Sequence, residues 1–157
     1  MRYAKPDVQC PEKLIVGVSR FYVFHLTSGS PTLEQIETEV DGYGVGWLLC
    51  PLMTFWDLVL ASTTEKIDLH QPDYPARSAH EQALLLALHA LSHADPWAAH
   101  ASLQSIVPTT TVRLLIPELR KIVGRLADRQ PVEPIAQSAR LGHAPMPYAD
   151  PEPRLLY

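Results

Sequence analysis

Residues 14–26 read Leu14-Ile15-Val16-Gly17-Val18-Ser19-Arg20-Phe21-Tyr22-Val23-Phe24-His25-Leu26, and the fold class turns on them. Ile15, Val16, Val18 and Val23 are β-branched and Phe21, Tyr22 and Phe24 are aromatic, types that pack well on a pleated surface. The composition predicts a strand bent at Gly17, and with it a mixed fold. The fallback is a largely helical protein, which requires both this stretch and residues 45–62 to be helices.

Working outward, residues 1–13 are polar and carry Pro6 and Pro11, which suits an arm or a first edge. Asp7, Glu12 and both prolines precede the first apolar run and Arg20 interrupts it, so no secretory signal is expected. Downstream, Pro31 opens a short helix through Val40, with Ser30 or Thr32 as N-cap and Glu34 in its first turn. Gly42, Gly44 and Gly46 mark a turn. Residues 47–50 read as a short strand before a helix from Pro51 to Ser62, the alternative being one helix over 46–62 kinked at the proline. Lys66 to His70 reads as a short extended piece.

The second half has clearer punctuation. Ser78 with Glu81 three residues later is a capping box, opening a leucine-rich helix to about Ala94 that belongs in the core. Asp95-Pro96 supplies an N-cap and a first helical residue for a helix over 96–106. From Thr109, residues Val112, Leu115, Ile116, Leu119, Ile122, Val123 and Leu126 form an amphipathic stripe, with Pro117 expected to bend or restart the helix. The expected fold is α+β: a small strand-containing N-terminal part packed on a mainly helical C-terminal half, one domain over 1–129. Residues 130–157, where Pro131, Pro134, Pro145, Pro147, Pro151 and Pro153 fall, form a C-terminal arm.

Composition narrows the functional classes. The chain has 157 residues, with 13 Lys+Arg against 17 Asp+Glu and a formal charge of −4, which speaks against nucleic-acid binding over the whole surface. Two cysteines are too few for a disulfide-rich scaffold or a four-cysteine zinc site within one chain. The longest apolar stretch, 45–61, is about 17 residues and holds Pro51 and Asp57, so it suits a core rather than a bilayer. A cytoplasmic protein with reduced thiols and no membrane contact is expected.

Several residues could carry chemistry. His89 and His93, four apart on one helix, project from one face as a pair of metal ligands; His100, Asp95 or His80 are candidates for a third, and zinc is the metal such a set would take. The spacing lacks the glutamate of the H-E-x-x-H metalloprotease motif. Cys50, if it caps a helix from Pro51, gains the dipole that favours a thiolate, but its apolar neighbours favour a buried, inert thiol. Asp68, His70 and Asp73 share one loop without a nucleophile elbow to serve. The turn at 42–46 lacks the spacing and the adjacent basic residue of a phosphate loop.

Charge is unevenly spread. Residues 111–129 carry Arg113, Arg120, Lys121, Arg125 and Arg129 against Glu118 and Asp128 in an otherwise acidic chain, with Arg113, Arg120, Lys121 and Arg125 opposite the apolar stripe. Met146, Tyr148, Leu155, Leu156 and Tyr157 give the arm apolar anchors that a free linker has no use for. The reading that follows is a non-enzymatic interaction protein, an adaptor, regulator or inhibitor, without a cofactor. Arg113, Arg120, Lys121 and Arg125 orient a protein partner or a second copy, and Tyr148, Leu155, Leu156 and Tyr157 anchor it. Homodimerisation through the stripe or by tail exchange uses the same residues. The alternative is a metal- or thiol-dependent enzyme using His89, His93 and Cys50. A DNA-linked regulator comes third, weakened by the absence of stacking aromatics beside the basic residues.

Overall fold

The computed structural model describes residues 10–129. Among them the regular structure is six α-helices and one 3₁₀ turn, without a strand, so the α+β expectation is corrected to an all-helical fold. The first helix, α1 (Pro11–Ser28), takes in the whole of 14–26. Pro11 stands in its first turn beside Glu12, and Gly29, at φ 72°, closes its end by donating its amide to the His25 carbonyl at 2.7 Å. The less buried positions 17, 21, 24 and 25 recur at helical spacing, while Leu14, Ile15, Val18, Tyr22 and Val23 are buried. A strand would have alternated. The β-favouring composition reflects burial of the middle of the helix, residues 14–23, where the same side chains fill the core.

Helix α2 (Leu33–Gly42) starts at a reciprocal capping box: Gln35 N–H donates to Thr32 Oγ1 at 3.3 Å, and Thr32 N–H donates to Gln35 Oε1 at 2.8 Å. The glycine turn follows, with Gly44 at φ 67°. A Cβ on Gly46 would overlap the Asp41 carboxylate, which is exposed and would have to turn aside. The strand expected at 47–50 is instead a 3₁₀ turn (Gly46–Leu48) running into α3 (Leu49–Ser62). Pro51 falls in the first turn of α3, where its missing N–H has no intrahelical partner to lose. Residues 66–70 form no strand.

Helix α4 (Ala79–Ser92) has the predicted Ser78–Glu81 box, and α5 (Pro96–Gln104) has Asp95 accepting from Ala98 N–H at 3.0 Å, though it ends two residues earlier than the spacing suggested. Helix α6 (Thr109–Arg129) is continuous through Pro117. Pro117 is exposed, so the Arg113 carbonyl it leaves without an intrahelical donor can be hydrated. Val112, Leu115, Leu119 and Ile122 of the stripe are buried. Helix α6 packs on α3, α4 and α5, α4 lies along α5, and α1 lies against α2 and α3. Phe55 and Trp56, both fully buried, meet edge to face at 5.0 Å and 89°.

Two local features have measurable consequences. Tyr22 Oη donates to Asp57 Oδ1 at 2.7 Å, joining α1 to α3, and burial, then the bond and the charge of Asp57, push the phenol from 10.0 up to about 12. As pH rises from 10 to 12 the unfolded chain loses this proton while the folded chain keeps it, so stability must fall across that window. The loss is on the order of 2 kcal/mol, and Tyr22→Phe should abolish that part of the alkaline slope in urea titrations.

Between α4 and α5, Ala94 is left-handed at φ 56°, with Asp95 N–H on the Ala90 carbonyl at 2.9 Å and Ala94 N–H on the Leu91 carbonyl at 3.1 Å. This is a Schellman turn with alanine where glycine is unstrained. Ala94→Gly should therefore stabilise the protein by about 1 kcal/mol, read as a higher urea midpoint at unchanged m-value.

Candidate functional site

A broad concavity lies between the start of α1, the second half of α4 and the last turns of α6. It is a groove of about 850 Å³. Leu14, Leu85 and Leu88 are buried beneath it, Val123 and Leu126 are half-exposed along one wall, and Glu12, His89, His93 and Arg129 supply polar edges. Helix spacing brings His89 and His93 together as predicted, with ring centroids 4.4 Å apart. His93 Nδ1 lies 2.9 Å from the His89 carbonyl, which can only accept, so the proton of that bond belongs to the imidazole. No third ligand joins the pair: among the described residues no cluster of three His, Cys, Asp or Glu side chains is placed to hold a metal. His100 lies apart on α5, Asp95 caps that helix, and His80 Nδ1 accepts from the Asp68 amide at 3.2 Å.

Also lining the groove, the Arg129 guanidinium lies 4.9 Å from the Trp47 ring centre and donates to the Gly44 carbonyl at 2.8 Å. This stacking ties the end of α6 to the 3₁₀ turn. No signal in the sequence pairs the two residues.

The outer face of α6 is exposed as the stripe predicted. Arg113, Arg120, Lys121 and Arg125 are all solvent-facing, with Leu114, 57% exposed, among them. Lys121 Nζ pairs with Glu118 at 2.8 Å; among the described residues no ion pair engages the other three. No aromatic residue occurs in α6. A second exposed feature went unread in the sequence: Trp97, in the first turn of α5, is 84% exposed. Its position straight after the Asp95-Pro96 helix start was the available signal, since the first turn of a surface helix leaves little to cover an indole.

The candidate loop residues Asp68, His70 and Asp73 sit in the α3–α4 connection, and a buried ion pair beneath them organises it. Arg20 is 5% exposed and Glu81 fully buried. Arg20 Nε and Nη2 donate to the two Glu81 oxygens at 2.7 and 2.8 Å. The remaining guanidinium hydrogens reach carbonyls of the loop: Tyr74 at 2.5 Å, Ala76 at 2.6 Å and Gln71 at 3.3 Å. Glu81 also accepts from the Ser78 and His70 amides at 2.9 and 3.3 Å. Burial pushes the Glu81 carboxyl up, but the Arg20 hydrogen bond and charge together with the two amides outweigh it, and the net shift is downward. The role of His70 here is played by its backbone; its ring lies tilted at 46° against Tyr74, with centroids 4.4 Å apart. Asp68 and Asp73 are exposed, and the structure assembles no nucleophile with them.

Cys50 is exposed, correcting the expectation of a buried thiol, and it lies one residue inside α3 rather than at its cap, which is Leu48. The leucines beside it in sequence point inward on the helix and leave the thiol on the outer side. Cys10 is half-buried and both thiols are free. Tyr148, Leu155, Leu156 and Tyr157 lie outside the described residues. No helix among the described residues is long and apolar enough to cross a membrane. No family model, curated protein or solved structure matches this chain.

The ion pair makes a sharp prediction. Glu81→Gln leaves the Arg20 charge buried without its counter-ion and should cost about 3–5 kcal/mol, whereas Arg20→Met with Glu81→Leu should recover most of that loss. The lowered Glu81 carboxyl gives stability that is present above about 4.5 and disappears as pH falls through the folded-state value. The double variant should therefore show a shallower acid limb in urea titrations than the natural chain.

Proposed function

We propose that this protein is a non-enzymatic interaction protein, an adaptor, regulator or inhibitor, that receives an acidic surface of a protein partner on the outer face of α6. One observation carries the reading: Arg113, Arg120 and Arg125 project from the same exposed face without an acidic partner among the described residues. Cations displayed this way raise the encounter rate with a negative surface and set its orientation. Leu114 offers an apolar contact in their midst, which suits a protein surface. Nucleic acid suits the face less well, because α6 has no aromatic side chain on which bases could stack. Tyr148, Leu155, Leu156 and Tyr157 of the C-terminal arm are assigned the role of apolar anchors in the same proposal. The metal- or thiol-dependent alternative draws no comparable support, since His89 and His93 acquire no third ligand among the described residues.

The test uses the triple variant Arg113→Glu, Arg120→Glu and Arg125→Glu, whose side chains are exposed and not needed for the core. Proteins captured from native extract by the natural chain should be released by added salt, and the triple variant should bind them on the order of tenfold more weakly or worse. Equal capture by the triple variant, with its helical content intact, would refute the assignment of this face.

A further inference from the structure

We infer that the groove between α1, α4 and α6 is a docking site for this chain's own residues 130–135, which turn back from the end of α6 to lie along it. Arg129 lines the groove and is held on its wall by Trp47 and by the Gly44 carbonyl, so the described part of α6 ends at the groove.

The next residues are Gln130-Pro131-Val132-Glu133-Pro134-Ile135. Pro131 opposes continuation of the helix, and prolines three apart preset a polyproline backbone with three residues per turn. At that period Val132 and Ile135 share one edge, with Glu133 turned away from it. Six residues at about 3.1 Å each span nearly 20 Å, enough to follow the last turns of α6 back along the groove. The apolar edge then meets the half-exposed Val123 and Leu126, while Glu133 faces the rim that carries His89, His93 and Arg129.

A further observation points the same way. Trp47 lines this wall, and its buried indole N–H has no acceptor among the described residues. A buried donor without an acceptor is costly, and an extended segment leaving Arg129 brings free carbonyls to that place. The N-terminal residues 1–9 also lead to the groove through Pro11, but Arg2, Lys5 and Asp7 interrupt them with charge. The inference does not rest on the proposed function, because it uses a different face of the molecule.

The experiment uses the full chain with Cys10→Ser and Cys50→Ser and a nitroxide on Gln137→Cys, read by NMR relaxation at backbone amides. Strong, concentration-independent broadening is expected at Leu88, Ser92 and Leu126, and Val132→Asp with Ile135→Asp should reduce it roughly tenfold by removing both apolar anchors. Broadening confined to the last turn of α6, or unaffected by the double variant, would overturn the inference. So would transfer of the effect between labelled and unlabelled chains, which assigns the groove to a second copy. A groove whose signals respond to deletion of residues 1–9 and not to the double variant would assign it to the N-terminal arm.

Discussion

One buried ion pair ties together α1, the start of α4 and the connection between α3 and α4. Arg20 reaches from α1 through the core to Glu81 in the first turn of α4, and every hydrogen of its guanidinium finds an acceptor. Glu81 accepts from four donors in return: two from Arg20 and the amides of Ser78 and His70. Buried charges in such surroundings are tolerable only when this complete, because a partly satisfied pair would cost more than an apolar core. The pair therefore sets where α1 stands relative to α4, and it closes the long α3–α4 connection over the space between them. Glu81 also completes the capping box at Ser78, so one carboxylate both starts a helix and fixes a second helix against it.

The misreading of residues 14–26 shows how composition and burial become confused. Valine, isoleucine and aromatics are plentiful there because the middle of α1, residues 14–23, is buried, and a buried helix uses the same inventory as a buried strand. The terminal signals were present: Pro11 with Glu12 at one end and Gly29 at the other enclose a length that suits a helix far better than a strand. Arg20 was legible only as an interruption. Its partner is 61 residues away, and no local pattern announces that a charge in an apolar run will be answered across the core. Where the helix signals were side chains acting on neighbouring backbone, as at Thr32, Ser78 and Asp95, spacing sufficed.

The same divide separates the candidate sites. The meeting of His89 with His93 and the exposure of the cations on α6 follow from periodicity along one helix, and both were legible. The groove, the Arg129–Trp47 stack and the exposure of Cys50 arise from how helices stand against one another. Cys50 is instructive because its immediate neighbours Leu48, Leu49 and Leu52 are buried, yet the rotation of α3 turns the thiol outward. Apolar neighbours in sequence are a guide to burial only after the period is known.

The way Arg20 grips the α3–α4 connection has a consequence for what that connection can become. Apart from Glu81 its acceptors are main-chain oxygens, of Gln71, Pro72, Tyr74 and Ala76, and these are present whatever side chains the loop carries. The anchor is blind to loop identity. Gln71, Asp73, Tyr74 and Ala76 are outward-facing on a path whose course is set from beneath. Such a segment is free to diversify under selection, or to accept a grafted recognition sequence, without renegotiating its attachment to the core. Rigidity of backbone and freedom of side chain, which compete in most surface loops, are here assigned to different partners.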